Sequence, residues 1–320
     1  MTENIKSLSI EVPHRISGFF EIVDEIDGKK IMYPEHIGSR GAGFNLNAVG
    51  KTTIIVEPLD NNEEDIIKIY INNEEFNEKA ETTYFIVKYI TSYLKNPISI
   101  KVYHNFDLPV GCGYGASGSG ALGTIFGLNK ILNLRLSYSE RGRVAHIAEV
   151  INRTGLGTVC GLLAGGLCVL KEPGYPCIYE SIPVPENLII ICGSFGAIQT
   201  KSVLTSPHLK LKIKEAGKKA LKKLLNTPNI KTFITASFEF VKDTNILNIL
   251  NLSKIEELIE DLNNLNIYGA SMNQLGRSVY AICEKSDQKK VLETFDGFKP
   301  EIKIYISAIN KNRPRFLPIT

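Results

Sequence analysis

The chain reads as an α+β protein in two parts, and three observations lead there. Short runs of β-branched residues recur among segments of helical period. Prolines crowd once, near the middle. Glycine, 26 residues in all, is gathered at two places rather than spread. Ser7–Val12 alternates, Thr52–Pro58 is rich in β-branched residues and Ile66–Ile71 reads IIKIYI, so each is expected as a strand. Glu81–Leu94 has a helical period that puts Phe85, Ile86, Tyr89, Ile90 and Leu94 on one face. Ile98–His104 is again strand-like. An apolar helix is expected from about Ser117 to Leu132. A second runs over Ser139–Asn152 with Ser139 as its N-cap, and Leu167–Leu170 is a strand.

Pro173, Pro176, Pro183 and Pro185 mark the expected boundary, giving an N-terminal domain over 1–180 and a C-terminal domain over 181–320. The second part opens on a strand, Leu188–Cys192, and is mostly helical from about Thr205 to Asn264. Ser278–Cys283 and Glu301–Ile306 are expected strands around a helix near Asp287–Thr294.

Composition excludes several classes. Hydrophobic residues make up 43% and charged residues 22%, which is ordinary for a globular protein and not for a disordered or coiled-coil chain. A net charge of +3 is too small to make nucleic acid the main partner. No run of about 18 apolar residues exists to cross a membrane. The opening MTENIKSLSIEV lacks the apolar stretch of a signal peptide, so a cytoplasmic location is expected. Six cysteines show no Cys-x-x-Cys spacing, which removes support for zinc. Cys168, Cys192 and Cys283 lie in apolar runs and read as buried thiols, and a disulfide framework is unnecessary in a chain of this size.

The chemistry is concentrated in Leu108–Leu122, LPVGCGYGASGSGAL. A strand leads in and a helix leads out. Gly111, Gly113 and Gly115 let backbone N–H groups turn toward one centre. The helix start adds its free N–H groups and the positive end of its dipole, which suits a phosphate. Ser117 and Ser119 offer hydroxyls to phosphate oxygens or to a phosphate-bound magnesium ion. Gly50-Lys51-Thr52 is not a Walker A loop, because position 45 is Asn45 rather than glycine; it reads as a turn. Gly113-x-Gly115-x-x-Gly118 has dinucleotide-fold spacing, but no acidic residue ends a second strand about 20 residues on.

PVGCGYGAS resembles the phosphate loop of the GHMP kinases, with Pro109, Gly113, Gly115 and Ser117 matching and Tyr114 and Ala116 replacing the usual Leu and Ser. Pro13-His14-Arg15-Ile16 resembles the family's first motif, and Gly269–Ile282 its third. HRISGFFEI, GSRGAG, AHIAEV and TGLG look like the archaeal pantoate kinase branch. The resemblance implies a two-domain fold, with a left-handed β-α-β crossover in the first domain and a ferredoxin-like second domain. It implies ATP on Pro109, Gly111, Gly113, Gly115, Ala116, Ser117, Gly118 and Ser119. It also implies Mg²⁺ between Ser117 and Glu149, pantoate as substrate, and a homodimer as one form of the enzyme.

His146 and Glu149 are three apart on an expected helix and so share a face. From spacing alone a solvated His/Glu pair leads; the AHxAE motif implies instead that Glu149 is a metal ligand and that His146 touches substrate. Arginine is much the rarer cation here, and Arg15, Arg40, Arg153 and Arg277 all fall in matched motifs. A guanidinium fork suits a carboxylate, so Arg15 or Arg40 is expected to take the carboxylate of pantoate and Ser39 a hydroxyl. Thr158 is the main departure, because the branch usually has aspartate there and threonine cannot act as a carboxylate base. Leu170 or Lys171 stands where the branch tends to have arginine. Lys210–Lys223 has helical spacing with Ile213, Ala216, Ala220 and Leu224 inward, and reads as a solvated face.

The expected activity is transfer of the γ-phosphoryl group of ATP to pantoate, giving 4-phosphopantoate for coenzyme A synthesis. The alternatives are a GHMP-type kinase for homoserine, mevalonate or a sugar, and a non-catalytic binder of nucleotide or pantoate.

Overall fold

The computed structural model describes residues 6–198 and 207–318. Two strands dominate the first half, and both are longer than the sequence pattern suggests. β1 (Lys6–Val23) and β4 (Gly38–Pro58) pair antiparallel along nearly their whole lengths, with irregularities between Pro13 and Arg15 and between Ser17 and Phe19. A short ribbon of β2 (Glu25–Ile26) and β3 (Lys29–Lys30) follows β1. The far half of β4 pairs with β7 (Ile98–Phe106), which runs parallel to β5 (Ile66–Ile71); β6 (Glu74–Glu75) closes that edge. The near half of β4 pairs with β8 (Leu167–Leu170), which in turn pairs with β9 (Tyr179–Ile182). β14 (Arg315–Phe316) returns from the C-terminal end to pair with β1. The Gly50-Lys51-Thr52 segment, expected as a turn, is therefore mid-strand. A Cβ on Gly50 would stand 2.5 Å from Ser119 Oγ, so close helix packing explains that glycine.

Four helices cover this sheet: α1 (Glu81–Thr91), α2 (Ala116–Ile131), α3 (Tyr138–Asn152) and α4 (Thr158–Ala164). α1 stops short of Leu94 and buries Ile86, Val87 and Ile90, while Tyr89 is 39% exposed and sits edge-on to Tyr93. α3 is capped by Ser137 rather than Ser139. Ser137 and Glu140 exchange side-chain-to-backbone bonds, and Ser139 has no acid three residues on with which to do so. α2 lies close on the sheet because Gly120, Gly123 and Gly127 face His104, Thr52 and Ile54.

The second sheet is wholly antiparallel, in the order β11 (Gly269–Met272), β12 (Ser278–Glu284), β10 (Leu188–Ser194), β13 (Lys303–Ser307). Among the described residues the helical stretch is four helices: α5 (Pro207–Asn226), α6 (Ile230–Thr244), α7 (Ile246–Ile249) and α8 (Ser253–Asn263). Thr205, where it was expected to begin, lies outside the described residues. α9 (Gln288–Asp296) precedes β13. Four lysines of α5 are ion-paired: Lys210 and Lys214 with Asp24, Lys219 with Asp243, Lys223 with Glu239. Its apolar side is buried, as the pattern requires.

One apolar core lies between the first sheet and α1–α4. The other joins the two sheets through Phe19, Phe44, Phe233 and Tyr280, whose rings meet. Cys168, Cys192 and Cys283 are buried thiols. Cys160 and Cys177, in contrast to the expectation of none, form a disulfide. It ties α4 to the loop after β8, a pairing that sequence spacing does not reveal. Among the described residues no helix is long and apolar enough to cross a membrane.

Candidate active site

The phosphate loop connects β7 to α2. Gly111, Gly113 and Gly115 all adopt positive φ, at 78°, 90° and 70°. Its carbonyls are tied outward. Gly111 O accepts from Ile198 N (2.9 Å), Cys112 O from Ser278 Oγ (2.7 Å), and Tyr114 O from Arg15 N (3.0 Å). In a trans peptide the next residue's N–H points opposite to the carbonyl. Fixing Gly111 O and Tyr114 O outward therefore turns the N–H groups of Cys112 and Gly115 the other way. Gly115 caps α2 without any side-chain bond, which leaves the first-turn N–H groups available to an anion.

These groups open on a cleft of about 570 Å³. One wall is Gly111 with Gly113–Ser117; the others come from Ser17, Phe19, Phe20, Ser39, Asn152–Thr158, Leu170 and Gln274. Ser117 Oγ donates to Glu149 Oε1 at 2.6 Å, across α2 and α3. Glu149 is buried, and burial pushes its carboxyl up to about 7 against the pull of the Ser117 and Thr154 hydroxyls. A buried acid of this kind, bonded to hydroxyls alone, suits a cation.

Thr158, the first residue of α4, presents its methyl to the loop. Thr158 Cγ2 would be 2.9 Å from a Cβ on Gly115 and equally close to one on Gly118. Glu149 Oε2 stands 3.1 Å from that same Gly118 position, so Glu149 and Thr158 share one face of α2. Ser39 also reaches the cleft, held by Ser39 N to Leu156 O (3.1 Å).

Four expected residues are placed otherwise. Ser119 is fully buried and donates to Val12 O at 3.1 Å. Two residues on from Ser117 on a helix, it faces nearly the opposite side and cannot share the cleft. His146 does not line the cleft; its Nε2 bonds Ile37 O at 2.9 Å, which steadies the chain just before Ser39. Arg40 makes a two-pronged pair with Glu21, at 2.8 and 3.0 Å. Arg15 borders the cleft, but its guanidinium bonds Asn45 Oδ1 (3.1 Å) and Cys168 Sγ (3.4 Å) and lies against Gly161. Neither partner is a carboxylate. Thr154, which opens the TGLG motif, lines the cleft, as do Lys79 and Gln274, for which the sequence suggests no role. Gln274 Oε1 is buried there without a hydrogen bond.

A strand–glycine loop–helix cradle facing a buried carboxylate defines a phosphotransferase site. The comparisons agree. The model of the GHMP kinases N terminal domain matches residues 81–166. A pantoate kinase of Methanocaldococcus jannaschii is 33% identical over 282 residues, covering 88% of this chain and 94% of that protein. A pantoate kinase of Thermococcus kodakarensis is 29% identical, covering 95% and 96%. A solved phosphotransferase related to the CoA biosynthesis pathway superposes with a TM-score of 0.82 at 25% identity, covering 97% of this chain and 98% of that one. The chain belongs to the GHMP kinases, in the family of the archaeal pantoate kinases.

Proposed function

We propose that the protein phosphorylates pantoate at its primary hydroxyl, with ATP as donor, giving 4-phosphopantoate and ADP. One observation carries the reading: a single cleft joins the phosphate cradle to the wall formed by Ser39 and Asn152–Thr158. The triphosphate would lie along Gly111–Ser117 and the start of α2. Ser117 and Glu149 would hold Mg²⁺. The buried, hydroxyl-bonded Glu149 carboxylate fits that ion, since Mg²⁺ commonly takes one or two carboxylates and completes its shell with phosphates and water. When bound, the ion would neutralise charge on the phosphates. Ser39 would orient a substrate hydroxyl, and His146 would act at one remove by holding Ile37. The charge of Arg15 would favour the substrate carboxylate, whereas Arg40 could take it only by giving up Glu21. Phosphoryl transfer has a loose transition state, so positioning supplies much of the effect and Thr158 need not be a base. Residues 1–180 and 181–320 as two domains, a cytoplasmic location and a homodimer belong to the same proposal.

A coupled ADP-release assay with pantoate, mevalonate and homoserine tests the reading. Turnover of mevalonate or homoserine without pantoate would sink it. Thr158 favours a second reading, a binder without catalysis; calorimetric binding of ATP and pantoate with no ADP formed would select that one.

Ser117→Ala removes the donor to Glu149 and a hydroxyl at the cradle. KM for ATP should rise about 10- to 100-fold, the effect of a hydrogen bond to a charged group, with KM for pantoate little changed. An unaltered KM for ATP would refute this placement of the loop. Thr158→Asp puts a carboxylate on the face shared with Glu149. It should raise kcat about 10-fold or more, toward what a positioned base contributes. No gain in kcat would show that the site has compensated elsewhere.

A further inference from the structure

His14 belongs to none of the roles assigned above, yet it touches both ends of the phosphate loop. Its ring is fully buried, against Phe106 and beneath the loop. Nδ1 lies 3.0 Å from Tyr114 O, and Nε2 lies 3.4 Å from Leu108 N. Leu108 begins the loop and Tyr114 ends it. A carbonyl can only accept and a backbone amide can only donate. One form of the imidazole serves both: the neutral ring with its proton on Nδ1. Burial lowers the pKa of His14 to about 4, against the Tyr114 carbonyl and the Asp107 charge, so this neutral form prevails near pH 7.

We propose that His14 is a positioning residue for the nucleotide: it fixes the distance between the two ends of the Leu108–Tyr114 loop, so that the cradle is formed before ATP arrives. The inference rests on ATP phosphates occupying that loop. The loop holds two left-handed glycines, Gly111 and Gly113, with Gly115 directly after. A glycine-rich segment loses more freedom on ordering than any other, and ordering on binding weakens affinity. Ile198 N and Ser278 Oγ tie single carbonyls in the middle of the loop. Among the described residues, no other side chain bonds both its ends.

The test is calorimetric affinity for ATP with Mg²⁺, without acceptor, in His14→Phe, His14→Asn and His14→Gln. Phenylalanine keeps the bulk and loses both bonds. Asparagine keeps a donor near the Tyr114 carbonyl, and glutamine keeps an acceptor near Leu108. His14→Phe should weaken ATP binding about tenfold or more, with the other two between it and the parent. KM for pantoate at saturating ATP should change less than about twofold. ATP affinity held within about twofold in folded variants, or an equal loss for both substrates, would overturn the proposal. So would failure of all three variants to fold, since His14 would then be a core residue only. If pantoate is not turned over at all, the substrate reading fails, while the ATP affinities still decide the role of His14.

Discussion

Glu149→Gln should cost catalysis and at the same time make the metal-free protein more stable above pH 7. Burial raises the Glu149 carboxyl from 4.5 to about 7. Between those values the folded protein keeps a proton that the unfolded chain has released. Stability therefore falls as pH rises through this window, and the full cost, about 3 kcal/mol, is felt above pH 7. Glutamine cannot ionise and still offers an acceptor to Ser117. At pH 8 the variant should melt several degrees higher than the parent without Mg²⁺; near pH 3.5, below the ordinary value of 4.5, the glutamate is neutral in the folded and the unfolded chain alike and the two should melt together. Its kcat should fall about 10³-fold, the several kcal/mol that a held metal ion contributes. A gain that is the same at both pH values would mean that the buried charge is already compensated. Full activity would remove Glu149 from the site.

Gly118→Ala should act in the opposite sense to its helix propensity. Inside α2, alanine in place of glycine would ordinarily stabilise by about 1 kcal/mol. Here the new Cβ would meet Thr158 Cγ2 at 2.9 Å and Glu149 Oε2 at 3.1 Å. The Thr158 methyl can rotate away, but Glu149 is held by Ser117. The carboxylate would be displaced, and a shift of about 1 Å in a positioned group can cost about 10²-fold in rate. We expect kcat to drop by that order while the fold is retained. A rate within twofold of the parent would show that the shared face of α2 is not where the reaction is organised.

The parts of the site carried by local pattern were legible. The glycine spacing at 111, 113 and 115 and the three-residue interval from His146 to Glu149 depend only on backbone geometry. That Glu149 meets Ser117, 32 positions earlier, follows from helices crossing and was reached through motif resemblance. Ser119 could have been set aside on helical angle alone. Ser137 was legible too, through its glutamate three residues on. Arg15 and Arg40 were not. Their partners, Asn45, Cys168 and Glu21, come from other strands or from another stretch of the same hairpin, and no periodicity reports them. β1 and β4 exceeded their expected lengths because glycines and polar residues interrupt the alternation without ending the ladder. Gly41, Gly43 and Gly50 sit where another backbone or ring leaves no room for a side chain.

The outward-tied carbonyls of the phosphate loop bear on how divisible this protein is. Ser278 and Ile198, which hold Cys112 O and Gly111 O, come from the second sheet and the segment after β10; Arg15, which holds Tyr114 O, comes from the first. The loop is thus a seam sewn from both sides. A fragment ending before Leu188 would retain every residue of the glycine motif and lose two of its moorings. Exchange of halves between relatives would have to preserve the fit of Ser278 beneath Cys112. The glycine motif is contiguous in sequence, but the cradle it forms is held by residues from both halves of the chain.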